Sequence, residues 1–241
     1  MTVRIIDLET SDLDREKAHV IEVAAVDIVL VGSRWEKINS RARYVRLPPG
    51  ASISPMASAI HHIIDEDVAT PGAIDDEDIA TFLHDDKVGL FVAHHAEFER
   101  FFLDRHLGNA VPWVCTWKCA LRAWPDAPSH GNQKLRYWLK LHDPLGVRRH
   151  EIVPHRAVSD AIVTGAIFAE LTKRAIRGEL LAWSAEPALL TVFNFGKHKG
   201  ERYDAVPPDY LEWIIGQPNM REEVRYSARY WRARLHGGPT P

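Results

Sequence analysis

"RIIDLETSD" (residues 4–12) places two carboxylates, Asp7 and Glu9, at the end of an apolar run that predicts a buried first strand. Side chains alternate along a strand, so residues two apart point to the same face and lie roughly 7 Å apart. Like charges held there repel each other and raise a carboxyl pKa unless a cation neutralises them. The pair is therefore either an exposed strand end or part of a metal site.

The composition predicts one good core and a smaller second unit. The chain has 241 residues, of which 46% are hydrophobic, and a net charge of −3, which by itself is no signature of nucleic-acid binding. No apolar run approaches the roughly 18 residues of a membrane span, and the acidic N-terminus does not resemble a signal peptide. The only cysteines, Cys115 and Cys119, are too few for a disulfide framework and match no usual zinc pattern. We therefore expect a cytoplasmic protein without membrane contact and with buried cysteines.

Hydrophobic patterning predicts an α/β architecture over residues 1–178. Four further segments have strand patterns: "HVIEVAAVDIVLV" (19–31), "INSRARYVRL" (38–47), "VGLFVAHH" (88–95) and "WVC" (113–115). The first three strands should form an antiparallel meander, and helices should follow the last two. The best-marked amphipathic helix is "HRAVSDAIVTGAIFAELTKRA" (155–175).

The hydrophobic pattern changes around Gly178, and this change predicts a small appended domain over residues 179–241. Its "FNFGKHKG" segment carries Lys197 and Lys199 on a glycine-flanked turn that is suited to phosphate contact. A basic solvated face is the alternative. The final "GGPTP" (237–241) is predicted to be disordered.

Two more acidic elements accompany the first strand. "FVAHHAEFERFF" (91–102) is a strand end followed by a helix whose first turn presents Glu99, and "HRAVSD" sets His155 five residues before Asp160. A histidine just ahead of a helix and an aspartate early in that helix can face one cleft. The three acidic elements could therefore converge on two metal ions.

Taken in order, these motifs resemble a known family. "IDLET", "AHHAEFE" and "HRAVSD" resemble the three exonuclease motifs of the DEDDh, or DnaQ-like, 3′–5′ exonucleases. Further matching segments are "SPMASAIHHI", "VCTWKCALRAWP" and, near the end, "FNFGKHKG" with "PDYLEWII", the last two resembling the C-terminal region of the exonuclease X branch. The resemblance implies a ribonuclease H-like fold, with a five-stranded mixed sheet flanked by helices and a small C-terminal domain.

The resemblance also implies an activity. It predicts a 3′–5′ exonuclease that uses two divalent cations, Mg²⁺ or Mn²⁺, to hydrolyse DNA from the 3′ end to nucleoside 5′-monophosphates, in DNA repair or processing. Asp7, Glu9 and Asp160 would hold the metal that carries the nucleophile, with Asp7 bridging to a second metal beside Glu99. His155 would be the general base, for which an ordinary pKa near 6.5 is suitable.

The second motif departs from the family pattern. Glu99 stands where the family has aspartate, and His95 stands where it has asparagine. By resemblance, a further set of residues would line the pocket of the terminal nucleotide: Thr10, Leu13, Ile60 and His61. His95 would contact the substrate backbone or simply cap its helix.

Two alternatives to a DNA exonuclease remain open. One is an RNA-trimming 3′–5′ exoribonuclease, because ribonucleases share the same catalytic set and no motif here reports on the 2′-OH. The other is a catalytically weakened nucleic-acid-binding module, which Glu99 favours. The intact Asp7, Glu9, His155 and Asp160 argue against it, since a decayed site usually loses more than one ligand.

Overall fold

A five-stranded mixed sheet forms the centre of the protein, for which a computed structural model describes residues 1–108 and 110–235. The strands are β1 (Thr2–Thr10), β2 (Val20–Val31), β3 (Arg34–Tyr44), β4 (Val88–Ala93) and β5 (Trp113–Cys115). Their order is β3-β2-β1-β4-β5; β1, β2 and β3 pair antiparallel, and β4 is parallel to both β1 and β5. The predicted α/β class and meander are confirmed. The "GGPTP" tail lies outside the described residues.

Helices cover the sheet and connect its strands. They are α1 (Pro55–His61), α2 (Asp65–Val68), α3 (Ile79–Leu83), α4 (Ala96–Leu107), α5 (Thr116–Ala123), α6 (Asn132–Trp138), α7 (Ala157–Leu171), α8 (Arg177–Ala185), α9 (Pro208–Ile215) and α10 (Glu222–Leu235). In the described residues, none of them is long and apolar enough to cross a membrane. Cys115 and Cys119 are both buried and free, as predicted.

The alternation along β1 decides which helix the two carboxylates face. Val3 and Ile5 pack in one hydrophobic cluster with the buried side of α7, whereas Ile6 and Leu8 pack in another with Phe102 and Leu103 of α4. Asp7 and Glu9 continue the odd-numbered series. Because side chains two apart share a face, both carboxylates lie on the side of the sheet that α7 covers.

Gly165 allows α7 to approach the sheet closely. A Cβ atom at this position would lie 2.9 Å from Leu145 Cδ1 and 3.3 Å from Ile5 Cγ1. The absence of a side chain therefore lets the helix axis sit near β1. This close packing brings the first turn of α7, with Asp160, to the end of β1.

The last part of the chain has a hydrophobic cluster of its own. It runs from Leu189 to Trp231 and includes Phe193, Tyr203 and Leu211. The boundary predicted after residue 178 falls inside α8, whose Leu180 packs in the cluster that holds α7. This packing favours a boundary after α8, and we propose one near Glu186.

Candidate active site

Three carboxylates meet at the carboxyl end of β1. Oxygen atoms of Asp7, Glu9 and Asp160 all lie within 4.8 Å of one another in the part of the chain that the structure describes. Asp7 and Glu9 are half-buried, and Asp160 is buried. Such a set of oxygen ligands suits a hard divalent cation such as Mg²⁺ or Mn²⁺.

The electrostatics of this cluster are unfavourable without a cation. Burial raises the pKa of Glu9 to about 8, and the charges of Asp160 and Glu22 add to the shift while Arg156 opposes it. Burial also raises the pKa of Asp7 well above its ordinary value, with the charges of Asp160, Glu99, Glu9 and Glu22 adding to the effect. Carboxyl groups that stay protonated near neutral pH become ionised when a cation binds them. The residues therefore fit a metal site.

Glu99 lies beside the three-carboxylate group rather than within it. It is on the first turn of α4 and only 3% exposed, and its Oε2 finds no hydrogen-bond partner among the described residues. Burial raises its pKa, and the charge of Glu9 adds to the effect. A buried, unpartnered carboxylate oxygen next to other carboxylates is the kind of atom that a bound cation would satisfy. Glu99 thus fits the role of a metal ligand at the edge of the three-carboxylate group.

His155 lies at the start of α7 and its backbone is tied to the acidic cluster. Its N–H donates to Asp160 Oδ2 at 2.8 Å, and its φ of 59° is in the left-handed region. The other oxygen of Asp160 accepts a hydrogen bond from Gln133 Nε2 at 2.5 Å. The imidazole itself is exposed. The turn therefore fixes the position of Asp160 and leaves the His155 ring open toward solvent and any bound substrate.

A buried glutamate holds the same turn from the sheet side. Glu22 on β2 is directly opposite Glu9 in the strand register and only 2% exposed. Its carboxylate accepts from Arg156 Nη2 at 2.6 Å and from the backbone N–H of Ala157 at 2.9 Å. Arg156 Nη2 also donates to Tyr44 Oη at 3.0 Å. The first turn of α7 is therefore attached to the sheet beside the carboxylates.

Sequence reasoning did not identify Glu22, Arg156 or Gln133. Two signals were available: Glu22 is an acid inside the apolar run "VIEVAAV", and Arg156 immediately follows the candidate base. Gln133 had no local signal, because its contact with Asp160 joins two different helices.

The residues predicted to line the nucleotide pocket have two different environments. Leu13 and Ile60 are exposed, at 60% and 39%, and are free to contact a substrate. His61 is buried; its Nδ1 accepts from the N–H of Ile63 at 3.0 Å and its Nε2 donates to the carbonyl of Thr10 at 3.3 Å. His61 and Thr10 therefore tie α1 to the end of β1.

His95 is the residue before α4 and has a φ of 70°. The residue is exposed, but its ring stacks on Trp117, with centroids 4.1 Å apart, and the loss of water on the stacked side lowers its pKa. The ring can offer a hydrogen bond or a stacking face to a substrate.

The two predicted phosphate-contacting lysines are exposed and belong to the C-terminal unit. Lys197 and Lys199 lie on the turn between Phe193 and Tyr203, and both side chains reach solvent. The turn packs on α9, where the Lys197 ammonium lies 5.1 Å from the centroid of the Tyr210 ring.

Comparison with known proteins identifies the family. A family model described as exonuclease, of the RNase T type, matches residues 5–168. Exodeoxyribonuclease 10 of Escherichia coli K12 is 31% identical over an alignment of 243 residues that covers 95% of this chain and 98% of that protein. A solved structure of exonuclease X in complex with 5′-overhanging duplex DNA has 29% identity and a TM-score of 0.58, and covers 76% of this chain and 99% of that one.

A more distant structure shows how widely the fold is shared. Pop2p of Schizosaccharomyces pombe, in its Mg²⁺- and Mn²⁺-bound form, is 14% identical with a TM-score of 0.56, covering 74% of this chain and 87% of that one. At this identity the likeness concerns the fold alone. The family match and the E. coli relative nevertheless span the elements that carry Asp7, Glu99 and Asp160. The chain therefore belongs to the RNase T-type exonuclease family, as its motifs predicted, and is an exonuclease with a ribonuclease H-like fold.

Proposed function

We propose that this chain is a two-metal-dependent 3′–5′ exodeoxyribonuclease that releases nucleoside 5′-monophosphates. The observation that carries the proposal is the group formed by Asp7, Glu9 and Asp160, whose oxygens lie within 4.8 Å of one another. The Oε2 atom of Glu99 is buried without a partner beside this group, which supports a site for a second cation. Asp7, Glu9 and Asp160 would hold one ion, and Asp7 with Glu99 would hold the other.

The cations would supply charge neutralisation at the phosphate and a lowered pKa for the attacking water. An imidazole nitrogen of His155 would accept the proton from that water, because its ring is exposed and its backbone N–H is bonded to Asp160. The phosphorus–oxygen bond to the departing 3′ oxygen would break, and that oxygen would take a proton from solvent. The products are a nucleoside 5′-monophosphate and a strand that is one nucleotide shorter.

Leu13 and Ile60 would contact the terminal nucleotide from the same end of the sheet. Both side chains are exposed, whereas His61 and Thr10 are hydrogen-bonded to each other. We therefore propose direct apolar contact for the first pair and a supporting role for the second. His95, whose ring stacks on Trp117, would face the strand near the cleaved bond.

Two of the similar proteins favour DNA as the substrate. Exodeoxyribonuclease 10 of E. coli covers nearly all of this chain, and the similar exonuclease X structure holds a DNA duplex with 5′ overhangs. A duplex with a 5′ overhang has a recessed 3′ end, the end that the proposed activity attacks. We further propose action in DNA repair or processing in the cytoplasm, in keeping with the two free cysteines.

The proposal is tested with 20-nucleotide DNA and RNA oligomers labelled at either end. With Mg²⁺ or Mn²⁺, 5′-labelled DNA should give a ladder and 3′-labelled DNA should release a labelled mononucleotide first. EDTA should stop both reactions, and Asp7→Asn should lower the rate at least 10²-fold. Glu36→Gln, which changes an exposed acid near the opposite end of the sheet, is the control and should cleave like wild type.

Three results would contradict the proposal. They are shortening from the 5′ end, cleavage that persists in EDTA, and faster cleavage of RNA than of DNA. The last would identify an exoribonuclease.

A further inference from the structure

One surface of the C-terminal unit combines an exposed aromatic ring with two lysines. Trp213 on α9 is 53% exposed and stacks with Tyr210, their ring centroids 5.6 Å apart and their planes at 22°. The Lys197 ammonium lies 5.1 Å from the Tyr210 centroid, and Lys199 is exposed on the same turn. We call these four residues the aromatic–lysine surface.

The turn that carries the lysines has a defined backbone. Gly196 and Gly200 have φ angles of +68° and +91°, a region that favours glycine. A Cβ on Gly196 would lie 3.1 Å from Tyr210 Oη, so this glycine also lets the turn sit on the ring. The N–H of Gly200 donates to the carbonyl of Phe193 at 2.8 Å, which closes the turn. The turn therefore fixes the backbone positions of Lys197 and Lys199 before any ligand binds.

The surface is supported from beneath. The Tyr210 ring packs on Phe193, with centroids 5.6 Å apart, and on His198, with centroids 4.4 Å apart. Phe193 in turn stacks on buried Tyr203 at 3.8 Å. Trp213 extends this aromatic stack to the solvent.

The charge on this surface is free to act on a ligand. Within residues 1–108 and 110–235, neither Lys197 nor Lys199 forms an ion pair. Acids on the same two elements are engaged: Glu212 pairs with Arg232, and Glu201 lies 3.1 Å from His198 Nδ1. Asp209 accepts the backbone N–H of Tyr210 at 2.9 Å. The two lysines thus present positive charges that pair with no acid among the described residues, beside an exposed ring.

We propose that the aromatic–lysine surface binds single-stranded DNA, specifically the strand whose 3′ end enters the carboxylate cluster. Aromatic faces that stack on bases, together with cations that track phosphates, are what sequence-independent single-strand binding requires. A duplex offers no free base face to Trp213, and a protein partner would not require unpaired lysines at a fixed spacing from a ring. The inference rests on the proposed exonuclease function, because that function requires a DNA strand whose 3′ end reaches the carboxylate cluster.

Binding is measured without catalysis. The full chain in EDTA is titrated into a 5′-fluorescein dT 20-mer, and anisotropy gives the dissociation constant. Trp213→Leu should weaken binding about 5-fold or more, whereas Trp213→Phe, which keeps a stacking face, should retain most of the affinity. Trp213 is exposed, so neither change should lower the melting temperature.

The lysines are tested by the salt dependence of the same titration. Lys197→Gln with Lys199→Gln should reduce the slope of log affinity against log salt by about 1.4, or about 0.7 for each phosphate contact. The control pair, Lys37→Gln with Lys87→Gln, lies near the opposite end of the sheet and should leave the slope unchanged. A blunt DNA duplex and an rU 20-mer should bind more weakly than the dT 20-mer.

A second substrate separates this inference from the proposed function. A thymidine dinucleotide has one phosphodiester and no further strand, so its Mn²⁺-dependent hydrolysis should be the same in wild type and in all surface variants. The inference is overturned if the Trp213→Leu and double-lysine variants bind the 20-mer like wild type, or if duplex or RNA binds more tightly. Failure of wild type to hydrolyse both substrates would instead overturn the exonuclease function, whatever the binding data show.

Discussion

Glu22 on β2 accepts a hydrogen bond from the backbone N–H of Ala157 at 2.9 Å and so fixes the first residue of α7 to the strand next to β1. The same carboxylate pairs with Arg156 and is directly opposite Glu9. The strand β1 and the helix α7, which are far apart in sequence, are thereby held at a fixed distance from each other. Asp160 is on the helix that Glu22 holds, and Glu9 is on the neighbouring strand.

Replacing Glu22 should therefore reduce activity by displacing Asp160 and His155. Glu22→Ala removes the acceptor of both Arg156 and Ala157, which should lower stability by roughly 1.5–3 kcal/mol and the catalytic rate by about 10²-fold. Glu22→Gln keeps an oxygen for the Ala157 N–H and should recover part of the rate. Thermal unfolding and kcat on the labelled 20-mer measure the two effects.

If Glu22 acts by positioning other residues, its replacement should lower kcat rather than raise KM. KM for the 20-mer should change little, because Glu22 is buried and cannot touch the strand. If Glu22→Gln is as slow as Glu22→Ala while both remain folded, charge at this position matters and the hydrogen bond to α7 does not.

His155→Ala should slow cleavage without weakening the binding of DNA. A positioned general base contributes roughly 10² to 10⁴ in rate, and only the backbone N–H of His155 supports Asp160. The alanine variant keeps that N–H, so the metal ligand should stay in place. Single-turnover rates with Mn²⁺ and anisotropy in EDTA separate the two quantities.

His150, a nearby histidine in the 3₁₀ turn Arg149–Glu151, provides the control for this test. It is exposed, and His150→Ala should cleave at the wild-type rate. A loss of DNA binding in His155→Ala that equals its loss of rate would show that the residue holds the substrate rather than a proton.

The sequence predicted the sheet and the carboxylates because both depend on local pattern. Strand alternation put Asp7 and Glu9 on one face, and the proximity of His155 and Asp160 follows from five residues of spacing. The end of β4 was less predictable: the apolar run suggested a strand to residue 95, but it stops at Ala93, because His95 takes up a left-handed conformation. Similarly, β3 begins at Arg34 rather than at residue 38, since pairing with β2 extends it.

The contacts that sequence could not predict all join distant elements. Gln133 reaches Asp160 only because α6 packs on α7, and Gly165 matters only because Leu145 and Ile5 crowd it. The role of His61 was equally hidden, since a histidine on a short helix can face either a substrate or the sheet. Here its ring donates to the Thr10 carbonyl. Such roles depend on tertiary packing, which one sequence does not specify locally.

Without metal, the stability of the protein should fall as the pH rises from about 6.5 to 8. The pKa of Glu9 is raised to about 8 in the folded chain, whereas an unfolded glutamate titrates near 4.3. In this window the folded chain binds more protons than the unfolded chain, so raising the pH favours unfolding. Melting temperatures in EDTA at several pH values measure the slope.

Divalent cations should remove this slope, because they bind the ionised carboxylates of the folded state only. The window begins at the ordinary histidine pKa of about 6.5, below which the buried His94, whose pKa is lowered to about 3, has the opposite effect on stability. Asp7→Asn, which removes one charge from the cluster, should flatten the slope in EDTA. A flat profile for the wild type would mean that folding does not raise the pKa values of these carboxyl groups.

Glu99 should be a metal ligand despite its departure from the family pattern. Its extra methylene, compared with aspartate, moves the carboxylate by roughly 1.5 Å, and rigid Mg²⁺ geometry tolerates such a shift poorly in a direct ligand. We therefore expect Mn²⁺ to support turnover at least as well as Mg²⁺. Glu99→Asp should stay active, and Glu99→Ala should slow cleavage strongly and reduce the rise in melting temperature that Mn²⁺ causes.

The matched control for Glu99 is its neighbour Glu97, on the same helical turn. The Glu97 carboxylate is 73% exposed and contacts Lys118 at 2.5 Å, facing away from the cluster, so Glu97→Gln should cleave and bind Mn²⁺ like wild type. The Oε2 of Glu99, by contrast, is buried without a partner, and its removal takes away a charge that raises the pKa of Asp7. Glu99→Ala should consequently be at least as stable as wild type in EDTA, while its melting temperature gains less from Mn²⁺. If that variant instead gains as much from Mn²⁺ and cleaves at the wild-type rate, Glu99 is a buried acid without a metal role, and Asp7, Glu9 and Asp160 hold the cations alone.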